Sequence, residues 1–150
     1  MALAHITLAT RDVSRSVAFF RESLGWKSVS RPGNINMAAA WLEIAPGMEL
    51  HLIEDRAFEP SPFEKEFGRH IAITASLADF PRLKERLQVQ GATLIEPLRE
   101  TPFTRFFFRD PNGYVFEVVE ERFLLAMQKD MPQFVEEAEP EMVIRPEPKA

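Results

Sequence analysis

Residues 47–54 of the chain are GMELHLIE and residues 113–120 are GYVFEVVE, so a glycine followed by a strand-like apolar run recurs after 66 positions. Near the beginning of each half, a histidine is followed by isoleucine, at His5 and at His70, which are 65 positions apart. Several matches at nearly the same spacing indicate an internal repeat. The sequence therefore predicts a module that occurs twice in the chain.

Each copy of the repeat predicts the order strand, helix and three further strands. The helical stretches carry apolar residues at helical spacing and end at Gly25 and Gly91, which are again 66 positions apart. Trp41 of the first copy corresponds to Phe107 of the second. The predicted organisation is a first βαβββ module over 1–54, a connecting loop over 55–69, a second βαβββ module over 70–120, and a short helix with an acidic tail over 121–150.

Three element boundaries are predicted from local signals. The turn Pro32-Gly33-Asn34 ends a predicted strand over 27–31, and the first strand of the second module is predicted over 70–75. The second helix is predicted to begin at Asp79, because an acidic residue followed closely by proline is typical of a helix start.

The composition narrows the class of protein. The 150 residues carry 18 Lys plus Arg against 23 Asp plus Glu, without the clustered basic face that is typical of a nucleic-acid binder. The absence of cysteine excludes disulfides and thiol chemistry. No apolar run predicts a membrane span or a secretory signal. We therefore expect a cytoplasmic protein that binds neither nucleic acid nor membrane.

The three histidines of the chain, His5, His51 and His70, all occupy repeat-related strand positions, and the position equivalent to His51 holds Glu117. Side chains alternate between the faces of a strand, so equivalent positions of two modules that curve around one axis converge on that axis. Imidazoles and a carboxylate together suit a divalent transition metal. The sequence predicts one Zn, Fe, Mn or Ni ion per site, bound by these four residues.

Other carboxylates compete with this ligand set. Glu49 lies on the same strand face as His51, so it is an alternative ligand in place of His51. Glu54 and Glu120 occupy equivalent positions at strand ends and are predicted to be solvated charges. A single histidine in a strand is more often a structural, hydrogen-bonded residue, so the metal prediction depends on the repeat.

Two motifs resemble the vicinal oxygen chelate superfamily, which includes glyoxalase I, extradiol dioxygenases, fosfomycin-resistance enzymes and bleomycin-resistance proteins. The first is HITLA at 5–9 with the following helix up to Gly25; the second is FRDPNG at 108–113 followed by Glu117. The resemblance implies an α+β fold in which two βαβββ modules, related by a pseudo-twofold axis, form a half-open mixed β-barrel around a metal site. It also implies a homodimer, with His5, His70 and Glu117 as metal ligands.

The chain departs from individual members of this superfamily. His51 stands where glyoxalase I has a glutamate ligand, and Ala9 stands where bacterial glyoxalase I has an arginine used for glutathione. The potassium-loop pattern of the fosfomycin thioltransferases is missing between Glu96 and Arg105. The resemblance therefore implies the superfamily without selecting one substrate.

A bound divalent ion polarises neighbouring substrate oxygens, and a carboxylate then removes an adjacent proton. Glu117 is the predicted catalytic base, with Glu49 as the alternative. With Fe(II), His5, His70 and Glu117 would instead form the triad of a ring-cleaving dioxygenase. Strand alternation predicts a substrate pocket, in which Arg105 would hold an anionic group; its residues are Thr7, Trp41, Arg105 and Phe107.

Two functions from different classes follow. The first is a metal-dependent lyase, isomerase or dioxygenase that acts on a small molecule with vicinal oxygens. The second is a non-catalytic binding protein of the bleomycin-resistance type, whose members lack the metal ligands. Because this chain retains all four predicted ligands, the sequence favours the enzyme.

Overall fold

The computed structural model describes residues 3–122 and confirms an α+β fold with two βαβββ modules. A single 3₁₀ turn, Leu77–Asp79, precedes the second helix. The predicted helix and acidic tail beyond residue 122 lie outside the described residues. The elements are β1 (His5–Thr10), α1 (Val13–Leu24), β2 (Lys27–Val29), β3 (Ala39–Ala45), β4 (Met48–Glu54), β5 (Ile71–Ala75), α2 (Phe80–Val89), β6 (Thr93–Ile95), β7 (Arg105–Arg109) and β8 (Val115–Glu120).

Each module forms its own four-stranded mixed sheet, and the two sheets have the same topology. The strand orders are β1-β4-β3-β2 and β5-β8-β7-β6. The registers also correspond, because Thr7 is opposite His51 in the first parallel pair and Ala72 is opposite Glu117 in the second. The first strand of each module, β1 or β5, lies at a sheet edge.

Alternation along the strands gives each sheet one face covered by the helices and one face free of them. The covered faces carry Leu8, Leu50 and Leu52 in the first sheet, and Phe106, Phe108, Phe116 and Val118 in the second. Together with residues of α1 and α2, these side chains form a single core that both modules share. The opposite, helix-free faces carry His5, His51 and Glu117, because these residues have the other parity in their strands, and His70, one residue before β5, lies beside Glu117.

Helix α1 is bounded as the sequence predicts. Asp12 caps its start by accepting a hydrogen bond from the backbone N–H of Arg15, and Gly25 ends it with a φ of 74°, in the left-handed region. Its buried Phe20 packs against Trp26 and against Phe116 of β8. The helix therefore joins its own module to the sheet of the second module.

A buried polar cluster also joins the modules, where the end of β1 meets the turn before β8. The Thr10 hydroxyl and the Asn112 amide oxygen lie 3.2 Å apart, and the Asn112 amide nitrogen donates to Ser16 at 2.9 Å. Asp110 holds the same turn by accepting hydrogen bonds from three backbone N–H groups, at 2.8–3.0 Å. Because burial dominates, the pKa of Asp110 is raised to about 6 in spite of these bonds.

Two predicted boundaries differ from the structure. Strand β2 ends at Val29 and does not reach residue 31, and β5 begins at Ile71, one residue after His70. The predicted start of the second helix is confirmed, because Asp79 is the N-cap residue of α2 and a proline follows in the first turn, although Asp79 has helical backbone angles and makes no side-chain cap. No helix within residues 3–122 is long and apolar enough to cross a bilayer.

Candidate metal centre

The first predicted ligand pair lies on the helix-free face of the first sheet. His51 is in the middle of β4, opposite Thr7 on one side and opposite Trp41 on the other. Its ring stacks on that of His5, with centroids 4.2 Å apart, and on that of Trp41, with centroids 4.4 Å apart. The two imidazoles are therefore held side by side, with His5 exposed at the edge of the sheet.

Glu49 completes the first half of the candidate site. It is the cross-strand partner of His5 in β1, and its Oε2 lies 2.8 Å from His51 Nε2. A carboxylate bonded to one imidazole nitrogen fixes the orientation of the ring, as carboxylates do for metal-binding histidines. The Glu49 side chain remains 41% exposed, so it is accessible from solvent.

The second predicted ligand pair lies on the helix-free face of the second sheet. His70 Nε2 is 3.4 Å from Glu117 Oε2, and the Phe107 ring meets the His70 ring edge-on at 5.4 Å. Phe107 is also the cross-strand partner of Glu117 in β7. Phe107 therefore lies beside Glu117 in the second sheet as Trp41 lies beside His51 in the first sheet.

The other oxygen of Glu117 is bound by a buried arginine. Arg105 Nη1 donates to Glu117 Oε1 at 2.8 Å, and Arg105 Nη2 donates to Glu66 Oε1 at 2.5 Å. Burial alone would raise the pKa of Glu66, but hydrogen bonds from Leu98 N–H, Arg105 and Arg99 N–H hold it below its ordinary value. Burial likewise opposes the charge of Arg105, and its bonds to Glu117 and Glu66 raise its pKa all the same.

The four predicted ligands come together as two pairs and not as one set. Within residues 3–122, no three His, Asp or Glu side chains are close enough to hold a metal ion together. The second pair nevertheless has a spacing that suits a metal ion. Two donors bound at about 2.1 Å to the same ion lie about 3.0–3.4 Å apart, so His70 and Glu117, at 3.4 Å, have the spacing of neighbouring ligands.

The predicted pocket residues differ in how far they are available to a substrate. Thr7 is exposed on the same face as His5. Trp41 and Phe107 are buried, with 8% and 1% of their surface exposed, and both pack against predicted ligands. Arg105 already makes two ion pairs, so its predicted role in holding a substrate anion stays a prediction without support from its contacts.

One residue of the site was not predicted from the sequence. Glu66 belongs to the connecting loop, where no periodicity or repeat partner distinguishes it from the neighbouring charges.

A cleft of about 410 Å³ separates this loop from β1, and it is lined by Thr7, Glu64, Arg69, His70 and Tyr114 among others. The loop therefore borders the candidate site as well as connecting the modules.

Comparison with known proteins agrees with this architecture. The family model described as Glyoxalase/Bleomycin resistance protein/Dioxygenase superfamily matches residues 2–118. The chain belongs to this superfamily. The fold of this superfamily member is also that of the fosfomycin resistance protein FosX from Mesorhizobium loti, with a TM-score of 0.65, 21% identity, and 83% of this chain and 97% of that chain covered.

Curated relatives of this superfamily member differ in activity. Glutathione transferase FosA of Serratia marcescens is 30% identical over 78% of this chain and 79% of its own length. Glyoxylase I 4 of Arabidopsis thaliana is 26% identical, over 78% and 69% respectively. A manganese-dependent 2,3-dihydroxybiphenyl 1,2-dioxygenase of Geobacillus genomosp. 3 is 31% identical over 76% of this chain, but over only 35% of its own length. One superfamily thus includes relatives that are named for three different activities.

Proposed function

We propose that the protein is a divalent-metal-dependent enzyme acting on a small molecule with vicinal oxygens, and that two copies of the chain build each metal centre. His5 and His51 of one chain would face His70 and Glu117 of the other. The observation that carries this proposal is the division of the four ligands into two repeat-related pairs on helix-free sheet faces. In a homodimer with a twofold axis, each of two equivalent centres would contain one pair from each chain.

Manganese has the most support among the four metals that the sequence predicts. The dioxygenase relative is named as manganese-dependent, and a FosX of the same fold, with a TM-score of 0.65 and 19% identity, is described in complex with Mn(II). A divalent ion held by His5, His51, His70 and Glu117 would supply Lewis-acid chemistry to a bound substrate. Elemental analysis of the purified protein would distinguish manganese from Zn, Fe and Ni.

The contacts favour Glu49 over Glu117 as the residue that accepts a substrate proton. One Glu117 oxygen is bound by Arg105 and the other faces His70, and its side chain is only 11% exposed. Glu49 is 41% exposed and lies beside both histidines of the first pair. In the proposed reaction, Glu49 removes the proton next to the polarised carbonyl, while Trp41 and His5 hold the His51 ring in place.

Substituting these two glutamates separately distinguishes a base from a ligand. Glu49→Gln is expected to bind metal about 10–100-fold more weakly, since it alters the contact that orients His51, and to lower turnover at saturating metal about 10²–10⁴-fold, as loss of a general base does. Glu117→Gln is expected to lose the metal, because it removes a charged ligand. Metal content by mass spectrometry and turnover are measured on the same preparations. If Glu49→Gln loses the metal and His51→Ala keeps it, Glu49 is a ligand in place of His51.

A substrate screen tests the function itself. The purified, Mn(II)-loaded protein would be incubated with hemithioacetals, acyl-CoA thioesters, fosfomycin and catechols, the last with dioxygen. Fosfomycin is included because FosA and FosX are among the similar proteins, and catechols because of the dioxygenase relative. Turnover of one class that disappears in Glu117→Gln supports the enzyme. Tight binding without turnover would favour the alternative, a binding protein of the bleomycin-resistance type.

A further inference from the structure

A buried group of three charged side chains surrounds the predicted ligand Glu117, and we call it the Arg105 cluster: Arg105, Glu66 and Glu117. Only 3% of the Arg105 side chain is exposed, and Glu66 and Glu117 are 7% and 11% exposed. The guanidinium lies between the two carboxylates, bonded to one oxygen of each. It also rests on the Phe107 ring, 5.1 Å from its centroid.

The Arg105 cluster is fixed from two loops. Glu66, in the connecting loop, accepts hydrogen bonds from the backbone N–H groups of Leu98 and Arg99, at 2.5 Å and 3.3 Å. Arg105 Nη2 donates in addition to the Arg99 carbonyl at 2.7 Å. These contacts hold the guanidinium in position independently of its hydrogen bond to Glu117, as expected of a group that orients another side chain.

We propose that Arg105, held by Glu66, is a positioning residue for Glu117. It occupies Oε1 and leaves Oε2, beside His70, as the oxygen that binds the metal. The inference rests on the proposed metal centre, and it adds that Glu117 binds through one oxygen only. A planar guanidinium suits this task, because its fork reaches two carboxylates and a carbonyl at once.

A purely structural role does not explain the Arg105 cluster. Arg109, four residues further on the same face of β7, ties that strand to the same connecting loop by donating to the carbonyl of Glu64 at 3.1 Å, and it also donates to the carbonyl of Gly113 at 2.8 Å. Neutral carbonyls thus suffice for attachment. Burying an ion pair between Arg105 and two carboxylates has a desolvation cost that attachment alone does not require.

The test uses Co(II), whose visible absorption reports the number and kind of its ligands. Arg105→Met is expected to lower Co(II) and Mn(II) affinity about 10–100-fold, as loss of an outer contact to a ligand does. It is also expected to change the visible Co(II) spectrum, because Glu117 can then bind through both oxygens. Arg105→Lys keeps the charge without the fork, so the same spectral change is expected. The matched control Arg109→Met keeps affinity within about twofold and leaves the spectrum unchanged.

Several results would overturn the inference. If Arg105 acted only as a nearby positive charge, Arg105→Met would tighten metal binding and Arg105→Lys would behave like the unsubstituted protein. An unchanged spectrum in folded Arg105→Met, checked by circular dichroism, also contradicts it. Should that variant not fold, Arg105→Lys and Glu66→Gln decide by the same spectrum. If Glu117→Gln leaves Co(II) binding unchanged, the proposed metal centre itself is wrong, which separates the two failures.

Discussion

Replacing His5 and His70 together by alanine is expected to reduce the bound metal from about one ion per chain to less than about a tenth of that. Each proposed centre has four protein ligands, and this double variant removes one imidazole from each half of it. The two ligands that remain, His51 and Glu117, come from different sheets. Each has lost the neighbouring histidine with which it would bind the metal ion. Elemental analysis of protein expressed with added Mn(II) and then desalted measures the loss.

The control for this double variant is Glu120→Gln. Glu120 lies at the end of β8, three residues after Glu117, and is predicted to be a solvated charge. Its substitution removes a carboxylate of the same chain region and should leave the metal content unchanged. If instead the double histidine variant retained its metal, the histidines would be structural residues and the proposed centre would be refuted.

Phe20→Ala is expected to lower the free energy of unfolding by about 3–5 kcal/mol. Phe20 is fully buried, and its ring contacts Phe19, Trp26 and Phe116, at centroid distances of 5.1 Å, 5.2 Å and 5.7 Å. Truncation leaves a cavity at the junction of α1 with the second sheet, where the surrounding rings cannot close it without moving both modules. Urea unfolding, followed by circular dichroism, measures the change.

Phe63→Ala is the matched control for the core substitution. Phe63 lies in the connecting loop with 64% of its surface exposed, so removing its ring should change stability by less than about 0.5 kcal/mol. A loss below about 1 kcal/mol in Phe20→Ala would contradict the single core shared by the two modules. Two separate unfolding transitions in the unsubstituted protein would also contradict it.

The fold was predictable because its main signals are local and repeated. Alternation within strands placed His51 and Glu117 on one face each, and the repeat spacing identified them as equivalent positions, with which the register pairs Thr7–His51 and Ala72–Glu117 agree. Asp12 and Gly25 marked the ends of α1 by their cap chemistry alone. The ligand residues could therefore be assigned to strand faces without any knowledge of tertiary contacts.

How the two halves meet could not be predicted in this way. The relative position of the modules depends on contacts between residues far apart in the sequence, such as Phe20 with Phe116 and Thr10 with Asn112. Glu66 was missed for the same reason. Its importance comes from Arg105, 39 residues later, and nothing in the loop sequence indicates that contact. Sequence periodicity fixes the face of a side chain, whereas its partners depend on packing.

The most direct test of the account is complementation between two variants that each lack one half of the site. The first variant is His5→Ala with His51→Ala, and the second is His70→Ala with Glu117→Ala. Each is expected to lose its metal when purified alone, because every centre then lacks the same half. Differently tagged copies are refolded together, and the mixed dimer is isolated through both tags.

The mixed dimer is the decisive sample. One of its two centres has all four ligands, contributed by different chains, and the other has none. We predict that it binds about half of the metal of the unsubstituted dimer, as one of its two equivalent sites is restored. A mixed dimer without metal, or the absence of any dimer, would contradict a centre shared between two chains.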